Sequence, residues 1–343
     1  MKNQIKTSEV VQPLVQGNPS SVHRKRIRIK QVDAFTDTPL TGNPAGVVID
    51  ANGLTDGEMQ VIAREMSVPE TAFILPSSVK GADLRIRWFS PTTEVPLCGH
   101  ATIASFHALA EEGLFGMSRD GTYRFTLETR SGLLPVTVEA SRTSIDVWLG
   151  LNLPSFTRAS TQKLDVMRIL NISLEDFESR LPIVADKYIY VPIRRLHTVY
   201  ALQPNIFAVS QFLANRNLFG LCAFTTETVD RASSVHSRFF APNMGINEDP
   251  VTGSANGPLG VYLFEHGLLD ELPGVQRTRR TASGIAQVSE PHNALVTLLA
   301  EQGDSIGRKG RVKVQLSVSG KVVTAVSIGG RAVTVFDGEM LIA

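Results

Sequence analysis

The chain repeats itself. Arg87-Trp88-Phe89-Ser90-Pro91 is echoed by Arg238-Phe239-Phe240-Ala241-Pro242. Some seven to ten residues past each proline stands a turn of small residues, Cys98-Gly99-His100-Ala101 in one half and Thr252-Gly253-Ser254-Ala255 in the other. Each turn opens an apolar helix, Thr102 to Ala110 and Leu259 to Phe264, and each half later holds a strand that ends at glycine, Gly132 or Gly320. Strand, strand, helix and strands, occurring twice, is the order of a duplicated α+β unit. Two similar lobes place their matching loops across a shared cleft, a usual position for a small-molecule site. The expected division is a tail over 1–25, a first lobe over 26–145 and a second over 146–330. A last strand, over about 331–343, joins the first lobe.

At 343 residues the chain is long enough for two lobes, each with its own core. Its 43% hydrophobic and 20% charged residues exclude disorder throughout. A net charge of +1 supplies no field for nucleic acid or an anionic membrane. Two cysteines, Cys98 and Cys222, can build neither a disulfide framework nor a four-thiolate zinc site. No apolar run approaches the ~20 residues of a membrane helix. Lys2 to Val22 lacks the apolar core of a signal peptide. A reduced, soluble, cytoplasmic protein is expected.

The basic run His23 to Lys30 alternates Arg24, Arg26, Arg28 and Lys30 with Ile27 and Ile29, the period of a half-buried strand. That strand continues to Phe35. Thr41-Gly42-Asn43-Pro44 then turns the chain into the apolar strand Ala45 to Ile49. Thr55 and Glu58 form a capping box, and Met59, Ile62, Ala63 and Met66 bury one helical face. The helix stops before Pro69, which places Glu70 in a loop ahead of the apolar strand Ala72 to Leu75. Leu84 to Phe89 is a further strand, and a helix from about Ala101 to Glu111 is closed by Gly113.

Both small-residue turns lead into helix N-termini, where unpaired N–H groups and the helix dipole favour an anion. Gly99 and Gly253 remove side chains where a ligand must approach that backbone. The candidates for proton chemistry are Glu70, His100 and Asp249. A carboxyl held against the apolar stretch Thr71 to Leu75 is desolvated, which raises its pKa toward the range of an acid/base. Spacing alone nevertheless favours an ordinary surface glutamate. His100 at a helix start is kept neutral by the positive helix end, or it merely caps and packs. Asp249, beside Glu248, can equally end a turn before Pro250. His100 and His107 are too far apart for shared zinc ligation, about 10 Å along a helix. HExxH, Walker, GxGxxG and GxSxG motifs are all missing, so metal and nucleotide chemistry have no support in sequence.

At these residues the chain resembles the PhzF-like family, phenazine-biosynthesis isomerase-like proteins with a diaminopimelate-epimerase-type fold. The resemblance is carried by Gly42-Asn43-Pro44-Ala45-Gly46-Val47, Ser67-Val68-Pro69-Glu70-Thr71-Ala72-Phe73, Phe89-Ser90-Pro91 and Leu97-Cys98-Gly99-His100-Ala101-Thr102. It continues in Glu248-Asp249-Pro250-Val251-Thr252-Gly253-Ser254-Ala255-Asn256-Gly257-Pro258-Leu259, and it covers about residues 28 to 343. The resemblance implies α+β lobes, each a mixed sheet curled around a central helix, with the site between them. It implies that Glu70 moves a proton between carbons of a small carboxylate, with His100 and Asp249 as polar partners. Asn43, Gly99, Thr252, Gly253 and Ser254 are the implied substrate-binding residues. No cofactor or metal, and a homodimer, are the further implications. Related epimerases of this fold oppose two cysteines; here Cys98 holds one position and Thr252 the other, so two-thiol epimerisation is not expected. Cys222 reads as a buried small residue.

Overall fold

The computed structural model describes residues 25–159, 163–281, 284–287 and 294–342. The expected tail lies outside these residues except for Lys25, which opens the strand Lys25–Ala34. Six helices are described: α1 (Asp56–Met66), α2 (Gly99–Glu111), α3 (Lys163–Leu170), α4 (Leu196–Ala201), α5 (Ile206–Ala214) and α6 (Gly253–Glu265).

All the described strands join one sheet. From Lys25–Ala34, successive neighbours are Asn43–Val48 (antiparallel), Glu70–Leu75 (parallel), Leu84–Phe89 (antiparallel), Gly121–Thr129 (parallel), Gly132–Ala140 and Ile145–Leu151 (both antiparallel). From Val184–Ala185 the series is Tyr188–Pro192, Gly220–Thr225, Val235–Ala241, Ala294–Gln302, Gly310–Ser319 and Val322–Gly330. Its senses run in the same order: antiparallel, parallel, antiparallel, parallel, antiparallel, antiparallel. The repeated text is therefore a repeated fold. The last strands of the two series pair with each other, Leu149 opposite Ile328, and this seam joins the lobes. Ile145–Leu151, which straddles the expected boundary at 145/146, is the last strand of the first series. Ala332–Ile342 returns to pair with Lys25–Ala34.

Each series of strands curls around one helix. Every residue of α2 from Gly99 to Ala110 is buried, as is every residue of α6 from Gly253 to Leu263 except half-buried Ser254. Helices that are apolar on all sides can only be stable in such a position. One core cluster contains Phe106 of α2 and Leu259 of α6, and so runs through both lobes. Outside the sheets, α1 covers Phe73 and Phe89, while α3, α4 and α5 cover the second lobe. The capping box at Thr55 and Glu58 forms as the sequence requires.

Three boundaries differ from the sequence reading. α2 begins at Gly99, two residues early, and α6 begins at Gly253, six residues before Leu259. Pro258 therefore lies inside α6, where its ring removes only the bond to the Ser254 carbonyl. Glu70 is the first residue of a strand, not part of a loop, and sits opposite Ala45 in a parallel pair. None of the described helices is long and apolar enough to cross a membrane.

Candidate active site

The duplicated hairpins aim both central helices at one point. In each lobe an arginine on the fourth strand of the series holds the residue before the turn: Arg87 clasps Glu94 at 2.8 and 2.8 Å, and Arg238 clasps Glu248 at 2.8 and 2.7 Å. Each guanidinium also lies over the phenylalanine two residues on, at 5.1 Å from Phe89 and 5.2 Å from Phe240. Bidentate pairs of this kind fix orientation as well as distance. The turns that follow bring the N-termini of α2 and α6 together. A Cβ built on Gly99 would lie 4.0 Å from the Cα of Gly253 and 3.7 Å from the Ser254 nitrogen. On Gly253 it would lie 2.4 Å from Ile328 Cδ1 and 2.8 Å from Phe35 Cζ. Gly253 is thus required by the close approach of the seam strand and Phe35, while Gly99 meets the other helix at ordinary contact distance and is tight only against Ile328 Cδ1, at 3.1 Å.

A cavity of about 390 Å³ opens where the helices meet, lined by Glu70, Cys98, His100, Asp249, Thr252 and Ser254 among others. Gly99 and Gly253 also face it. Two sets of unpaired N–H groups and two positive dipole ends therefore converge on one cavity, an arrangement suited to an anion.

Glu70 stands at its wall, 8% exposed. Its Oε2 is buried and accepts no hydrogen bond; His100 Nε2 lies 3.4 Å away without the angle for one. Burial, and then the charge of Asp249, push the Glu70 carboxyl up to about 8, against a hydrogen bond from the Cys98 thiol. His100 remains neutral, its pKa lowered to about 3 by burial, while a hydrogen bond to the Pro44 carbonyl opposes the shift. Burial thus does what the sequence reading assigned to the helix end. Cys98 Sγ lies 3.4 Å from His100 Nδ1, and burial, then the charge of Glu70, raise its thiol pKa. It is therefore a thiol rather than a thiolate.

Asp249 ends the strand Ile246–Asp249. Both of its oxygens are satisfied: Asn43 Nδ2 donates to Oδ1 at 2.7 Å and Thr252 Oγ1 donates to Oδ2 at 2.5 Å. Burial raises its pKa, these two donors oppose the rise, and the charge of Glu248 adds to it. Two donors on Asp249 favour its charged form, whereas Glu70 Oε2 has none, so burial weighs less opposed on the Glu70 carboxyl.

Asn43 does not line the cavity. It is fully buried, and its amide also donates to the Val251 carbonyl at 2.8 Å, so it reaches across the lobes to orient Asp249. Thr252 spends its hydroxyl on Asp249 in the same way. Ser254 lines the wall with its Oγ 3.0 Å from Tyr188 Oη. Cys222 is buried, and so is Gln302, a residue that sequence reasoning missed. Gln302 accepts from the Thr252 N–H at 3.1 Å and donates to the Asp249 carbonyl at 2.8 Å. Its only signal is a polar pair, Glu301-Gln302, closing an otherwise apolar strand.

Among the described residues, the ligand-type atoms of Glu70, Cys98 and His100 lie within 4.8 Å of one another. No spacing in the sequence indicated this cluster, because its members come from a strand and a helix start.

Two curled lobes with a shared site at the ends of their central helices define the epimerase-type scaffold. A hydroxyproline epimerase from Agrobacterium vitis shares the fold at a TM-score of 0.57 and 12% identity, over 94% of this chain and 93% of that one. The PhzC-PhzF family, phenazine biosynthesis-like proteins, matches residues 32–338, and the chain belongs to it. An uncharacterized isomerase of Clostridium acetobutylicum is 36% identical over 93% of this chain and 99% of its own length. One from Bacillus subtilis is 32% identical over 90% and 97%. The crystal structure of a PhzF-family protein from Bacillus anthracis has a TM-score of 0.77 at 31% identity, covering 93% of this chain and all of that one. The kinship defines an isomerase-type enzyme.

Proposed function

We propose that this protein is a cofactor-independent isomerase that moves a proton between two carbons of a small carboxylate, with Glu70 as the acid/base. The observation that carries this reading is the unpartnered, buried Glu70 Oε2 on the wall of a cavity onto which two helix N-termini open. A carboxylate substrate seated on those N–H groups brings its neighbouring carbons to Glu70. Desolvation makes the Glu70 carboxylate a stronger base than an exposed glutamate, closer to what a carbon acid requires. Glu70 takes the proton from one carbon and returns it to another. Neutral His100, its one N–H given to the Pro44 carbonyl, stands beside Glu70 as a polar partner. Asp249 is held by Asn43 and Thr252, and its negative charge keeps the returning proton on Glu70.

The test is deuterium incorporation from heavy water into small unsaturated or amino carboxylates, followed by NMR. Glu70→Gln should lose exchange by at least the ~10²–10⁴-fold that a general base contributes. Full exchange in that variant would sink the mechanism. A second reading, a one-cysteine racemase or epimerase, draws on Cys98 Sγ facing the same cavity. Cys98→Ala separates the two readings: the glutamate mechanism retains exchange and the thiol mechanism loses it. A protein that binds such carboxylates stoichiometrically but exchanges nothing would be a binding protein on the same scaffold.

A further inference from the structure

We propose that Glu70, Cys98 and His100 form a site for a zinc-type divalent ion, and that this ion switches the enzyme off by occupying its acid/base. The set offers one oxygen, one sulfur and one nitrogen, the mixture that zinc accepts. With bonds of ~2.0–2.3 Å, the edges of a zinc tetrahedron are roughly 3.3–3.6 Å. His100 Nε2 lies 3.4 Å from Glu70 Oε2, already at that length, and 4.0 Å from Cys98 Sγ, which must close by about half an ångström. Glu70 is more than nine-tenths buried, and its Oε2 faces the cluster without a hydrogen-bond partner. The cavity leaves a fourth position open, as in zinc sites with three protein ligands.

Charge favours the bound state. A thiolate plus a carboxylate neutralise a divalent ion, so the low-dielectric setting holds a neutral complex. The Cys98 thiol proton and the Glu70 carboxyl proton both leave to solvent as the sulfur–metal and oxygen–metal bonds form. The two helix N-termini act against the cation, and Asp249, across the same cavity, acts for it. Ligand binding at this site does not depend on the isomerase reading; the inhibition does, because it follows from Glu70 being the base.

The experiment uses the full chain stripped of metal, titrated with zinc chloride alone and, in parallel, with cobalt chloride. Expected are one ion per chain and a thiolate-to-cobalt absorption band in the near ultraviolet. Cys98→Ser and Glu70→Gln should each weaken zinc binding by more than the ~10–100-fold that loss of an outer-shell partner costs. Cys222→Ser, whose thiol is buried elsewhere, should bind as the wild type does. Glu70→Gln keeps the test decisive if Cys98→Ser does not fold. Zinc affinity unchanged in both site variants, or cobalt binding without a thiolate band, would overturn the proposal. If zinc binds as described but no carboxylate exchanges deuterium, the isomerase reading fails and the metal site stands. If exchange depends on Glu70 but zinc does not bind, the reverse holds.

Discussion

Replacing Glu70 by glutamine should stabilise the protein in alkali while removing its chemistry. The native carboxyl releases its proton at about 8, against an ordinary 4.5 for an unfolded glutamate. Because the folded-state pKa is the higher one, the native protein holds a proton that the unfolded chain has lost throughout the window between these values. Stability therefore falls as pH rises across that window, is untouched below it, and carries the full penalty above it. At ~1.4 kcal/mol per pKa unit, the penalty is about 5 kcal/mol, with ~4 kcal/mol of it between pH 5 and pH 9. Glu70→Gln has no such proton to lose, and any constant cost of burying its amide cancels between the two pH values. Urea unfolding of both proteins at pH 5 and pH 9, with a chelator present, measures the difference. The variant should gain about 4 kcal/mol on the wild type over that interval. A difference that is the same at both pH values, to within ~1 kcal/mol, would refute the desolvation argument and with it the poised base.

Arg238→Met removes the clasp on Glu248 and three further bonds, from Nη1 to the carbonyls of Val199, Tyr200 and Leu202. Breaking a buried pair on one side costs about 3–5 kcal/mol, so the thermal midpoint should fall by roughly 4–7 °C; Glu248→Gln in the same chain should recover part of it. Gly253→Ala places a Cβ 2.4 Å from Ile328 Cδ1 at the seam, and should cost about 1–3 kcal/mol in chemical denaturation. Gly99→Ala, whose nearest contact is 3.1 Å, should cost less, and an equal cost would show that the two helix ends are not packed as described.

Much of the fold was legible because its signals are local or repeated. The capping box at Thr55, the strand alternation around Ile27 and the left-handed glycine after α2 each depend on residues within a few positions. The duplicated Arg-aromatic-Phe text marked equivalent strands, and their pairing senses agree one for one. What went unread was mostly a matter of which partner lies across a lobe boundary. The apolar run placed the second central helix at Leu259, yet α6 begins at Gly253 and runs through Pro258, because burial from Gly253 onward outweighs one missing bond. Nor did the sequence show that the Asn43 NH2 group is given to Asp249 and Val251, more than 200 positions along the chain. Gln302 carried no motif at all.

By itself the sequence determined the duplication, the apolar helices that must be enclosed, and the residue types available for proton transfer. Periodicity, caps and turn chemistry act over short spans, and the chain states them outright. Tertiary structure alone decided that Glu70 Oε2 is buried without a partner while Asp249, on the wall of the same cavity, has a donor on each oxygen. That distinction arises from long-range contacts between residues far apart in the chain, and it makes the two buried carboxyls unlike in their hydrogen bonding.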